Sequence, residues 1–70
     1  MKLDSIATFV MVVQSGSLSE AARRLRISRS VVSERLVDLE KELGTSLIQR
    51  TTRKVTVTEN GTAFLSRAIR

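Results

Sequence analysis

The chain has 70 residues, 41% of them hydrophobic, with Phe9 and Phe64 as its only aromatics and a net charge of +5 from 12 Lys+Arg against 7 Asp+Glu. That is one small domain with an aliphatic core and a thin stability margin, and its basic excess points to an anionic partner. Without Cys or His, disulfides, thiolate metal sites, the usual zinc ligand and the usual general base are excluded. With no apolar run long enough for a membrane span and no signal-peptide pattern, an intracellular, cytoplasmic protein without cofactor or metal is expected.

Residues 3–15 read as a first helix. Asp4 is its expected N-cap, Ile6, Phe9, Val10 and Val13 form its expected apolar stripe at i, i+3, i+4, i+7, and Gly16 closes it. Ser17-Leu18-Ser19-Glu20 has the capping-box pattern, with Ser17 as N-cap and Glu20 expected to fold back. Leu18, Ala21, Ala22 and Leu25 give the second helix its apolar face, and the two alanines leave room for a close helix crossing. Ser28 caps a third helix that runs to Leu43 and ends at Gly44, with Val32, Leu36, Leu39 and Leu43 on its core side. Only about three residues separate the second helix from the third, and a short helix, a tight turn and a longer helix make a helix-turn-helix.

After Gly44 the period changes. Leu47-Ile48-Gln49-Arg50 and Val55-Thr56-Val57-Thr58 read as the strands of a β-hairpin whose tip, Thr51-Thr52-Arg53-Lys54, is polar and basic. Thr58 caps a last helix with Glu59 in its first turn and Phe64, Leu65, Ala68 and Ile69 on its apolar face. No proline, repeat or linker composition marks an internal boundary. The absence of a terminator before Arg70 reads as a chain cut from something longer. The expected fold is mainly α: a winged helix-turn-helix with a three-helix core and a hairpin wing in residues 1–58, and the start of a further helix in residues 59–70.

In this fold the N-terminal part of the third helix enters the DNA major groove and the preceding helix spans the backbone. The residues exposed there, opposite the core stripe, are Arg29, Ser30, Ser33, Glu34 and Val37. Arg29 suits a guanine edge, which it can meet with two parallel hydrogen bonds. Ser30 and Ser33 can bond to a base or a phosphate. Glu34 can accept from cytosine or orient Arg35 or another arginine. The helix end capped by Ser28 can bind a phosphate. Arg23, Arg24 and Arg26, at the close of the second helix, complement its C-terminal dipole and can also meet phosphates; Arg23 and Arg35 are taken as backbone contacts. On the wing, Arg53 is the candidate for a narrow minor groove, with Arg50 and Lys54 as phosphate partners.

The ordered segments resemble the N-terminal domain of the LysR-type transcriptional regulators. They are Phe9-Val10-Met11-Val12-Val13, Ser15-Gly16-Ser17-Leu18-Ser19-Glu20-Ala21-Ala22-Arg23-Arg24-Leu25, Ile27-Ser28, Val32-Ser33, Leu39-Glu40-Lys41-Glu42-Leu43-Gly44, Leu47-Ile48-Gln49-Arg50 and Val57-Thr58-Glu59-Asn60-Gly61. The resemblance covers nearly the whole chain in one register. It implies a bacterial regulator that binds an interrupted palindrome in promoter DNA as a homodimer. It also implies a linker helix, beginning near Thr58, that pairs two subunits, and a C-terminal effector-binding domain not present in this chain. By position it assigns base reading to Arg29, Ser30, Ser33 and Glu34, and the wing tip to Arg53. Family members usually carry glutamine in place of Arg29, and often a basic or amide residue in place of Glu34, so the target motif differs from a typical member's. Ile48 stands where phenylalanine is common. With most of the pairing helix absent, the fragment is expected to be monomeric or weakly dimeric.

Two other classes compete. A winged helix that binds protein or another nucleic acid is disfavoured by the placement of the basic residues on the turn and wing. An enzyme is disfavoured by the lack of His, Cys and any Gly-rich phosphate loop. Glu40 and Glu42, two apart on a helix, point in different directions. The basic residues are not gathered on one amphipathic helix, as membrane binding would require.

Overall fold

The computed structural model describes residues 2–50 and 55–68, with Arg50 as backbone alone. Along the chain run α1 (Leu3–Ser15), α2 (Leu18–Leu25), α3 (Arg29–Leu43), β1 (Ile48–Arg50), β2 (Val55–Val57) and α4 (Glu59–Ala68). The strands pair antiparallel, with Ile48 opposite Val57, Gln49 opposite Thr56 and Arg50 opposite Val55. This is the expected mainly α winged helix-turn-helix. The expected tip, residues 51–54, and Ile69 lie outside the described residues.

The first helix departs from expectation in two ways. It begins at Leu3, after an extended Lys2 whose side chain makes no capping bond. Asp4 is therefore already helical and cannot be the N-cap; it lies in the first turn, where its charge still complements the dipole. The buried line is Ser5, Thr8, Phe9 and Val12, with Ile6, Val10 and Val13 half-buried. The expected stripe is thus rotated by one position. The apolar run from Phe9 to Val13 fits several helical stripes, and the choice is made by Thr8. Its hydroxyl donates to the Asp4 carbonyl at 2.6 Å and accepts from Arg35 Nη1 at 3.3 Å, so the side chain is fully buried without an unpaired polar group. Gly16, at φ 73°, takes the left-handed position that ends α1, and its N–H donates to the Val12 carbonyl.

α2 is capped as expected: Ser17 Oγ accepts from the Glu20 N–H at 3.2 Å. The Glu20 carboxylate does not fold back. It turns along the helix to Arg23 and Arg24, because charge-assisted bonds to guanidinium outweigh a bond to a neutral amide. α2 ends at Arg26, which adopts φ 58° and ψ 42°, the one non-glycine residue with positive φ among the described residues. The Arg26 N–H donates to the Ala22 and Arg23 carbonyls, and the Ile27 N–H donates to Ala22 O at 3.1 Å. A left-handed side-chain-bearing residue costs about 1 kcal/mol.

Ser28 opens α3 by accepting from the Val31 N–H at 3.2 Å. Val32, Leu36 and Leu39 then face Phe9 and Val12 of α1 and Leu18, Ala21 and Ala22 of α2 in one core. Each fully buried aliphatic side chain contributes about 2 kcal/mol. Leu47 and Ile48 complete this core from the wing side, and Phe64 of α4 meets Phe9 with ring centroids 5.6 Å apart.

The connection from α3 to the wing is held from both sides. Glu40 Oε2 accepts from the Leu47 N–H at 2.8 Å and from the Ile48 N–H at 3.3 Å. From the α4 side, Thr58 N donates to Leu47 O at 3.0 Å, Thr58 Oγ1 donates to Ser46 O at 2.7 Å, and Asn60 Nδ2 donates to Thr45 Oγ1 at 2.7 Å. Thr58 Oγ1 also accepts from the Gly61 N–H at 3.0 Å and so caps α4 as expected.

Candidate nucleic-acid interface

The turn at Arg26 and the cap at Ser28 set α3 close against α2, with the core stripe inward and the opposite face free. Ser28, Arg29, Ser30 and Glu34 are exposed, Ser33 is half-buried, and Val37 is 39% exposed, enough to present its methyls on the same surface. Residues four apart stack on a helix, so Arg29 lies above Ser33 and Ser30 above Glu34 in two adjoining columns. Among the described residues neither Arg29 nor Glu34 forms an ion pair. The surface combines a free guanidinium fork, two hydroxyls and a free carboxylate. These are the donors and acceptors that read base edges.

Arg35 stands apart from this group. It is half-buried, and its Nη1 donates to Thr8 of α1. That contact leaves Arg35 oriented by Thr8 rather than by Glu34. A shallow groove runs between the start of α1 and this flank of α3, lined by Lys2, Asp4, Ser5, Val31, Glu34, Arg35 and Asp38.

At the close of α2, the Glu20 carboxylate accepts from Arg23 Nε at 3.1 Å and from its Nη2, and Arg24 Nε approaches the same carboxylate at 3.4 Å. The hydrogen bonds from Arg23 hold the Glu20 carboxyl below the usual carboxylate value, and Glu20 in turn raises Arg23. A lowered acid stabilises above its unfolded value, so this contribution is present at neutral pH and lost as pH falls through the depressed value. Arg23 and Arg24 remain 71% and 46% exposed despite the pairing, so they are both held in place and open to an approaching anion.

On the wing, β1 brings Arg50 opposite Val55. Its side chain, and Arg53 and Lys54, lie outside the described residues. Three residues with structural consequences for this face escaped the sequence reading. Glu40 acts across the Gly44 turn, where no periodicity reports. The role of Thr8 depends on Arg35, 27 positions away. The left-handed Arg26 had a signal: helices commonly end on a residue of positive φ, and no glycine stands at the end of α2 to take that place.

The fold and this face define a winged helix-turn-helix regulatory domain. A family model described as bacterial regulatory helix-turn-helix protein, lysR family, matches residues 3–62, and the chain belongs to that family. It is 46% identical over 66 residues, 94% of its length, to an HTH-type transcriptional repressor of Pseudomonas aeruginosa strain UCBPP-PA14, and it spans 21% of that protein. Among solved structures it resembles the DNA-binding domain of CbnR in complex with DNA. The TM-score is 0.97 and the identity 33%, over 100% of this chain and 80% of that one. It also resembles the BenM DNA-binding domain in complex with catB site 1 DNA, with TM-score 0.94 and 38% identity over 99% of this chain and 78% of that one. The family is one of regulators rather than enzymes. Among the described residues no helix is long and apolar enough to cross a membrane.

Proposed function

We propose that this chain is the sequence-specific, double-stranded DNA-binding part of a bacterial transcription regulator, acting in the cytoplasm. The observation that carries the reading is the face of α3, where Arg29, Ser30 and Glu34 stand exposed beside a capped helix start, in a fold like those of two domains solved with DNA. Residues 1–58 form the DNA-binding domain and residues 59–70 begin a linker helix. In the major groove Arg29, Ser30, Ser33 and Glu34 read bases. Arg23, Ser28, Arg35, Arg50 and Lys54 contact the backbone, and Arg53 enters the minor groove. The chain spans about a fifth of the length of the relative above, so dimerisation through a longer α4, a promoter dyad as target and an effector domain belong to the proposal for the whole protein.

The test is selection from a random duplex pool across a salt series. Enrichment of a recurring motif, with affinity falling steeply as salt rises, supports the reading. Arg29→Gln should then change the enriched bases without lowering the melting temperature. Absence of binding at low salt overturns the reading in favour of a protein partner.

A further inference from the structure

Arg26 occupies a backbone conformation that glycine or asparagine would occupy with less strain. Its φ of 58° is fixed by the turn: its N–H closes α2 on Ala22 and Arg23, and the next N–H, that of Ile27, also returns to Ala22. Ile27 packs against the core and Ser28 opens α3, so the conformation cannot relax without moving the reading helix. The side chain contributes no packing that would favour arginine there. It is exposed, and among the described residues it makes no ion pair or hydrogen bond. Its neighbours differ. Arg23 and Arg24 share the Glu20 carboxylate, and Arg35 is turned to Thr8. Between the middle of α2 and the middle of α3, Arg26 and Arg29 are the described cations whose guanidinium is uncommitted. A strained residue whose side chain makes no contact to account for the strain directs attention to function.

We propose that Arg26 is a DNA-phosphate contact of the helix-turn-helix turn, held aimed outward by its left-handed backbone. Among the described residues its guanidinium has no carboxylate beside it, whereas those of Arg23 and Arg24 share the negative charge of Glu20. This rests on the DNA-binding reading above and adds to it a residue whose contribution is independent of base sequence.

The experiment measures binding of the 70-residue chain and its variants to a random-sequence duplex across a salt series, beside thermal melting. Arg26→Gly should raise the melting temperature by roughly 4 °C or more, since the left-handed strain is removed. The same variant should bind roughly five- to tenfold more weakly at 0.1 M salt and flatten the dependence of log affinity on log salt by about 0.9, the share of one phosphate. Arg26→Gln keeps a side chain at the strained position and should lose affinity and slope to the same extent without the gain in melting temperature. Arg26→Lys should restore the slope. If the parent chain binds and both Arg26→Gly and Arg26→Gln match it in affinity and slope, the assignment of Arg26 is overturned while the DNA reading stands. If the parent chain binds no duplex at low salt, both are overturned.

Discussion

At Gly61 an added methyl group would stand 2.1 Å from the carbonyl oxygen of Leu47 and 2.8 Å from Val57 Cγ1. The first of these is backbone, so the clash cannot be relieved by a rotamer change. Alanine is ordinarily preferred to glycine in a helix by about 1 kcal/mol. Here the overpacking, about 2–3 kcal/mol, exceeds that preference. Gly61→Ala should therefore lower the melting temperature, by several degrees in a domain of this size. An unchanged or higher melting temperature by circular dichroism would mean that α4 can lift from Leu47 without cost. The same scale explains Thr8. A threonine in the deepest layer of an aliphatic core is tolerated because both its donor and its acceptor capacity are used, one by its own helix and one by Arg35.

Among the elements, α3 and the start of the wing are linked through the Glu40 carboxylate as well as through the shared core. From within α3, the Glu40 carboxylate accepts two consecutive N–H groups at the entry to β1, one of them that of Leu47, which is 1% exposed. Glu40→Ala leaves both donors without this acceptor and should cost about 1–3 kcal/mol. Glu40→Gln, which keeps an acceptor oxygen, should cost less. Hydrogen exchange at the Leu47 and Ile48 amides is the direct readout. It should accelerate in the alanine variant, and equal protection in both variants would show that the strand entry is held by other contacts.

For the molecule as a whole, α4 packs on the three-helix core as well as leading away from it. Phe64 meets Phe9, and Phe64 and Leu65 pack on the core that α1, α2 and α3 share. Phe64→Ala should lower the melting temperature by roughly 8 °C or more, taking about 2 kcal/mol for a half-buried ring, while the melt stays a single transition. A separate early transition would show α4 melting alone. The helices and their ends were legible in the sequence because caps and terminators are local: Ser17, Ser28, Gly16 and Gly44 each act within a few residues. The exposed face of α3 followed from Val32, Leu36 and Leu39. What periodicity could not decide was the rotation of α1, where the apolar positions from Phe9 to Val13 fit several stripes. The partners of Glu20, Arg35 and Glu40 are choices among competing contacts, made only once the helices are in place. The expected roles of Arg53 and Lys54 fall on positions outside the described residues.

The two-sided grip on residues 44–48 has a mechanical meaning. Glu40 belongs to the same helix as Arg29, and Thr58 and Asn60 belong to the first turn of α4 or its cap, yet all three hold one short segment, Glu40 and Thr58 by its backbone and Asn60 by the Thr45 hydroxyl. These bonds link α3 and α4 through one short segment. A lever fastened in this way delivers a twist at its far end to the blade at its near end. A change in the direction of α4 is therefore expected to pass through residues 45–48 to α3, with the loop, often the soft part of a small domain, as its path.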